Sequence, residues 1–447
     1  MTAQTKPREN PSADKETSKT ALMAWAFYDW ANNGFATVIL TFIFSAYFIR
    51  RIAPDEVTGS ALWGNMVSIA GLCIALGGPV CGAAADQDGR RKPWLIAFML
   101  LCVAATMLLW FVKPSPDFLW PALVLVGVGM VGAEYSYIFY NAMLPELAPP
   151  DRVGRWSGWG WGLGYAGGLL CLLAVLLIVE GGGSDLAAGG KSPLWRIRAG
   201  FALAGVWYLV FSLPLIFLVP DTRGLGKPFA RAVWDGIGRL VEMVREVRRF
   251  KPIVLFLIAR MIYIDALATI FALGGVYAAG TFGMTEREVL LFGVALNIAA
   301  GLGALVFSDL DDRIGPKATI LLSLGGLITG ALVILLVHAS VFFWTAGTFM
   351  GLFVGPVQAA SRSYMARVAP EDLRNQMFGL YAFSGKATAF AGPFLVGWLT
   401  YVSGSQRIGM STVPALLLLG GLLMLKVPRK RRARLQNSKQ NALGFEG

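Results

Sequence analysis

An all-α membrane protein, with twelve spans arranged as two matched halves of six, is what this sequence predicts. Three observations predict it. Apolar runs of about 20 residues, the length a helix needs to cross a bilayer, recur along the chain. Composition agrees: 56% of the 447 residues are hydrophobic, 15% are charged, and mean hydropathy is +0.60. A soluble domain carries about 25% charged residues. Finally, the loop sequence Gly82-Ala-Ala-Ala-Asp86-Gln87-Asp88-Gly89-Arg90-Arg91-Lys92 has a partner about half a chain later. That partner is Ser308-Asp309-Leu310-Asp311-Asp312-Arg313-Ile314-Gly315-Pro316-Lys317, and each copy joins two apolar runs. Repetition at half length signals duplication.

Taken in order, residues 1–20 are polar and rich in Pro, Lys and Glu, as expected of a disordered cytoplasmic tail. The first apolar run is too long for a signal-peptide core and lacks a cleavage pattern, so it is read as a span. Spans are expected at 22–49, 61–85, 93–113, 118–141, 155–179 and 199–219, forming an N-terminal bundle over 21–219. A second set at 252–279, 288–309, 316–338, 341–365, 375–402 and 409–427 forms a C-terminal bundle over 252–427. Only a helix satisfies its own backbone in lipid, which makes these runs helices. The 53 glycines suit close helix approach. Between the bundles, 220–251 is a cytoplasmic linker. Its Phe229, Val233, Ile237, Leu240, Val244 and Val247 recur at helical spacing among Arg231, Arg239, Arg245, Arg248 and Arg249. That pattern predicts an interfacial helix on the cytoplasmic leaflet. Residues 428–447 form a basic cytoplasmic tail. A second echo, Ala148-Pro149-Pro150-Asp151-Arg152 after span 4 and Ala369-Pro370-Glu371-Asp372-Leu373-Arg374 after span 10, repeats the duplication.

Orientation follows from the basic residues. Of the 39 Lys and Arg, 28 fall on the side of the N-terminus, 8 on the other side and three inside spans. This bias puts both termini in the cytoplasm of a multi-pass protein, with the bacterial plasma membrane the expected location. The net charge of +12 sits in loops and tails beside spans, so no nucleic-acid partner is inferred. Cys73, Cys81, Cys102 and Cys171 lie in apolar runs and read as packing thiols; His338 is alone. No metal or cofactor is expected. H-E-x-x-H and G-x-S-x-G are absent, and Gly385-Lys386 fails as a phosphate loop because Ala387 replaces Ser/Thr. An enzyme is therefore not expected.

The loop pattern G-x-x-x-D-R-x-G-R-K resembles the signature of the major facilitator superfamily, departing at Gln87 in the first copy and at Ser308 in the second. The matching positions are Gly82, Asp86, Gly89, Arg90 and Lys92, then Asp312, Arg313, Gly315 and Lys317. The resemblance implies a cytoplasmic loop between helices 2 and 3 of each half. The glycines permit a tight turn, and the aspartate can pair with a base or cap a helix N-terminus.

Six charges lie within spans: Asp29, Glu134, Arg260, Asp265, Arg362 and Lys386. Such charges are costly and normally face a partner or a wet cavity. In the major facilitator fold the first helix of each three-helix repeat lines the central cavity, and five of the six lie on spans 1, 4, 7 and 10. Periodicity adds polar neighbours. Asp29, Asn32 and Asn33 share a helix face, as do Glu134, Tyr137 and Asn141, Arg260 and Tyr263, Asp265 and Thr269, and Gln358 and Arg362. Depth suggests that Asp29, Glu134 and Arg362 form ion pairs closing a cytoplasmic gate. It leaves Asp265 and Lys386, nearest mid-membrane, to contact substrate or a coupling proton. The alternative is that all six form fixed structural pairs.

Three further stretches narrow the resemblance: Ala24-Trp25-Ala26-Phe27-Tyr28-Asp29-Trp30-Ala31-Asn32-Asn33, Asn141-Ala-Met-Leu-Pro145-Glu146, and Ser157-Gly-Trp-Gly-Trp161-Gly-Leu-Gly-Tyr165-Ala-Gly167-Gly168. They look like the branch of autophagy-related vacuolar amino-acid effluxers and their bacterial relatives. This implies a monomeric secondary transporter, with a small-molecule substrate, a proton or other coupling ion, and lipid around it. Mixed cavity charges would suit a zwitterion, with Tyr28, Tyr135, Tyr137, Tyr165, Tyr263 and Tyr381 as candidate aromatic contacts. A non-transporting sensor or scaffold, or a carrier of sugar or drug, remains the alternative.

Overall fold

The computed structural model describes residues 19–180, 194–221, 234–236, 238 and 250–428. Most of the linker helix expected over 220–251, and most of both tails, lie outside them. Every regular element among the described residues is helical.

The membrane segments are α1 (Lys19–Ile52), α2 (Glu56–Asp88), α3 (Lys92–Phe111), α4 (Pro116–Leu147), α5 (Val153–Glu180) and α6 (Leu194–Leu218) in one half. The other half holds α7 (Lys251–Phe282), α8 (Glu286–Val306), α9 (Pro316–Leu336), α10 (Ser340–Val368), α11 (Arg374–Lys386 and Ala391–Ser403) and α12 (Gln406–Lys426). Helix α1 begins at Lys19, inside the stretch assigned to the tail, and passes through π-helical turns at Ala36–Phe42 and Phe48–Ile52. The eleventh span departs from expectation. It is broken into Arg374–Lys386 and Ala391–Ser403 around Ala387–Phe390, so among the described residues eleven helices rather than twelve are long enough to cross a membrane unaided. Pro393 sits in the first turn of the second half, where its missing N–H leaves no hydrogen bond unmade.

The two signature loops do the same work in each half. Gly89 and Gly315 turn the chain at φ 80° and 89°, a region costly for residues with a Cβ. Lys92 Nζ donates to Ile216 O at the end of α6, and Lys317 Nζ donates to Leu425 O and Val427 O at the end of α12. A lysine thus satisfies orphan carbonyls at the negative end of the last helix of its own half. The aspartates reach into the opposite half. Asp86 accepts from Asn375 N (3.1 Å), Asn375 Nδ2 (2.7 Å) and Gln376 N (2.8 Å), capping the N-terminus of α11. Asp312, on a short helix Ser308–Ile314, accepts from Gly154 N (2.7 Å) and Arg155 N (2.8 Å), capping α5. Arg90 and Arg313 are exposed on the same face.

These caps hold the halves together at the signature end. Gly82 lies so close to the Asn375 carbonyl that a Cβ there would collide with it, and Gly78 lies against Gly379. Farther along α2, Gly71 and Gly64 face open space. The α2–α11 pair therefore parts away from the signature end. Arg374 donates to Glu146 Oε1 across the halves (2.9 Å), and Arg91 pairs with the same carboxylate. Arg155 and Asp309 add a further pair (2.5 Å) between α5 and the short helix.

Candidate functional site

Where the halves part, a cavity of about 270 Å³ opens between α1, α4, α5, α7, α10 and α11. It lies just below the range of about 300–1,000 Å³ typical of drug-sized sites, which suits one small solute. Its wall includes Asn32, Asn33, Glu134, Tyr137, Asn141, Arg260, Gln358, Arg362 and Lys386, with Phe35, Trp161, Phe378 and Tyr381 as apolar or aromatic neighbours.

The floor is the pair between Arg362 of α10 and Asp29 of α1, Nη1 to Oδ2 2.9 Å, with both side chains 1% exposed. Each nitrogen of this arginine has a partner. Its Nε donates to Ser157 Oγ (2.9 Å), its Nη2 to Ser157 O (2.6 Å), and its Nη1 also to Tyr137 OH (3.2 Å) and Asn141 Oδ1 (3.3 Å). Asp29 additionally accepts from Tyr137 OH (2.7 Å) and Tyr140 OH (2.8 Å). The Trp25 ring lies 5.1 Å from the guanidinium, and Trp25 Nε1 donates to Tyr140 O. One buried cation from the second half is thus enclosed by acceptors of the first. The desolvation of both ions is offset by hydrogen bonds to every nitrogen of Arg362 and both oxygens of Asp29. Arg362 borders the cavity, while Asp29 stands behind it.

The side wall carries a second pair across the halves. Lys386 Nζ lies 2.7 Å from Glu134 Oε1, at 27% and 30% exposure. The pairing differs from the one that depth along the helices suggests. Glu134 joins Lys386 rather than the Asp29–Arg362 floor, because Lys386 ends the first half of α11 and its long side chain reaches α4.

Arg260 and Asp265 both look to α11, but differently. Arg260 Nη1 donates to Tyr381 O (2.7 Å) and Ser384 Oγ (2.6 Å), with its guanidinium 3.5 Å from the Tyr381 ring centroid. Asp265 Oδ2 accepts from Gly392 N (2.9 Å) at the start of the second half of α11. A carboxylate there answers the positive end of that half-helix. Asp265 does not line the cavity. Neither does Tyr263, whose hydroxyl shares a hydrogen bond with Ser361 Oγ (2.7 Å). Of the ten side chains expected along the pathway, Asn33, Glu134, Tyr137, Arg260, Gln358, Arg362 and Lys386 border the cavity. Gln358 Nε2 donates to Tyr165 OH (3.1 Å), linking α10 to α5. Tyr28 and Tyr135 are spent within the first half, on Tyr208 OH and Cys73 O.

The residues that the sequence reading missed are Tyr140, Ser157 and Ser384. Tyr140 was findable, since it lies three positions after Tyr137 on the same face of α4. Ser157 and Ser384 gave no signal, because one hydroxyl among many marks no site. Among the described residues no cluster of His, Cys, Asp or Glu has the make-up of a metal site.

Comparisons with known proteins extend this picture. The family model described as "Vacuole effluxer Atg22 like" matches residues 49–155 and 149–437. The uncharacterised MFS-type transporter YxiO of Bacillus subtilis is 25% identical over 413 residues, covering 91% of this chain and 94% of that one. Autophagy-related protein 22 of Coccidioides immitis is 24% identical over 445 residues, covering 82% and 71%. For autophagy-related protein 22 of Cryptococcus neoformans the match covers 65% of this chain, which spans about half (54%) of that protein. Among solved structures, the proton:xylose symporter XylE aligns with a TM-score of 0.70 at 15% identity, covering 92% and 95%. The transporter FucP aligns at 0.71 and 12% identity, covering 92% and 99%. At those identities the structural likeness concerns the fold.

Proposed function

This chain belongs to the Atg22-like, vacuole-effluxer branch of the major facilitator superfamily, whose members are membrane transporters and not enzymes, and on that premise we propose that it carries a small polar solute by alternating access, coupled to protons. The observation that supports this most is the Lys386–Glu134 pair on the cavity wall. It joins the two halves, is reached from the cavity, and can be traded for contacts to a solute. A purely structural pair needs no such access. Glu134 is the only carboxylate among the described lining residues, so it is the group through which a proton would couple. Protonating it removes the partner that holds Lys386 and loosens the bridge between the halves.

Export is the direction that the family description supports, and amino acids are the solute class that the mixed charges of the wall support. The excess of Lys and Arg at the signature end supports a cytoplasmic position for that end. A bacterial plasma membrane and a monomer embedded in lipid complete the reading. Uptake of radiolabelled amino acids into proteoliposomes, with and without an imposed pH gradient, tests class and coupling together. Gradient-stimulated uptake that is lost in Glu134→Gln is expected. Uptake indifferent to both the gradient and Glu134 would remove the coupling, and none by any amino acid would remove the class.

A further inference from the structure

The charges around the cavity do not cancel. Its lining holds one acid, Glu134, and three bases, Arg260, Arg362 and Lys386. Lys386 is neutralised by Glu134, and Arg362 by Asp29 behind the wall. Arg260 is left over. Among the described residues no carboxylate lies within ion-pair distance of it, and Asp265, five positions on, is turned to Gly392 instead. Yet Arg260 is only 8% exposed. Its Nη1 is spent on the Tyr381 carbonyl and Ser384, the Tyr381 ring covers one face, and Nε is buried with no acceptor. No acceptor is found for Nη2 either among the described residues. Charges inside membrane helices face the bundle interior or a wet cavity, pair with one another or with backbone carbonyls, and mark substrate paths.

We propose that Arg260 is the docking point for a carboxylate of the transported solute. This rests on the transporter reading of the cavity and adds a chemical requirement to it. The unspent Nε and Nη2 form the side edge of the guanidinium, which matches the two oxygens of a carboxylate. Tyr381 and Ser384 hold the guanidinium in place beforehand, so little side-chain freedom is lost on binding. One anionic group also brings the wall to neutrality. Because Glu134 is already engaged by Lys386, an ammonium on the solute is not needed to balance charge. A simple monocarboxylate and the carboxylate of an amino acid both offer the required group.

The test uses purified full-length protein and a library of small carboxylic acids, each paired with its primary amide, including amino acids and their amine-free counterparts. Binding is read by thermal shift and by tryptophan fluorescence, since Trp161 lines the cavity. On the wild type, acids should bind about tenfold or more tightly than their amides, as expected for hydrogen bonds to a charged group. Arg260→Gln should bring acid and amide level, and Arg260→Lys, which keeps the charge but not the fork, should recover part of the preference. Whether the amine helps tells a zwitterion from a monoanion, and a carboxylate preference in either supports the assignment. Amides that match acids on the wild type, an acid preference that survives Arg260→Gln, or no acid that binds at all would each overturn it. The wild-type comparison stands even if the variants fold poorly. Counterflow in proteoliposomes separates the two readings. Acids that bind but are not carried leave the docking point intact and remove the transporter, whereas carriage of amides and acids alike does the reverse.

Discussion

Lys386 of α11 and Glu134 of α4 meet at 2.7 Å across the two halves, at the wall of the central cavity and partly open to it. Replacing either by a neutral residue, Glu134→Gln or Lys386→Gln, is expected to leave a folded protein, because water can reach the partner left behind. Transport should fall about tenfold or more, equivalent to at least about 1.4 kcal/mol. Size-exclusion profiles and proteoliposome uptake check the two halves of this statement.

The Asp29–Arg362 floor should behave oppositely. Both ions are enclosed, so removing one strands the other, at a cost of about 3–5 kcal/mol. Asp29→Asn is expected to lower the melting temperature and the yield. The double variant Asp29→Asn/Arg362→Gln should be milder than the sum of its parts, since neither ion then remains unpaired. Thermal melts of the purified variants decide this.

The signature aspartates bias the molecule toward closure at their own end. Loss of a helix cap costs about 1 kcal/mol, within a range of 0.5–2. Asp86→Ala should therefore shift the closed-to-parted ratio at α2–α11 roughly fivefold toward parted. Spin labels on exposed Arg90 and Asp372 would report that ratio as two distances. Gly82→Val should act in the same direction, because its side chain would meet the Asn375 carbonyl only in the closed form.

The second signature loop differs from the first at Asp311, which stands where the first has Ala85. Asp311 is 2% exposed, and burial pushes its carboxyl up to about 7. Arg367 of α10 lies 4.0 Å away and opposes that rise, Asp312 beside it adds to it, and Arg155 of α5 is engaged by Asp309 and Asp312. In a parted state water would return the carboxyl toward its ordinary value. The closed contact therefore binds the proton more tightly. Closure at α5 and the short helix should strengthen as pH falls from about 7 toward the ordinary carboxylate range, and should not change above 7. Labels on Asp151 and Arg313 would follow it. Asp311→Asn should stay closed at every pH, and an unchanged pH response in that variant would rule the residue out.

Most of the architecture was legible because it rests on one-dimensional signals. Apolar length locates spans, and the paired Asp86 and Asp312 loops reveal the duplication. Charges placed in lipid named most of the cavity wall for the same reason, since each must find a partner or water. What sequence could not supply was pairing. Counting residues along a helix ranks depth but not direction, so Glu134 was grouped with Asp29 and Arg362 when its partner is Lys386. Depth alone points Asp265 at the cavity, but the break in α11 exposes the Gly392 N–H and turns the carboxylate to it. Gly392-Pro393, a helix-start signature inside an apolar run, was the available clue.

That break has a mechanical consequence. The inner piece of the eleventh span is tied to the opposite bundle through Asp86, and the outer piece to its own bundle through Asp265. A joint at Ala387–Phe390 lets the outer piece tilt while the inner piece stays fastened. In the proposed alternating-access cycle, this would let the mouth shut over a solute before the seal beneath it is released. Under that reading, leakage would be prevented by the jointed build of one rod, without both barrels swinging at once.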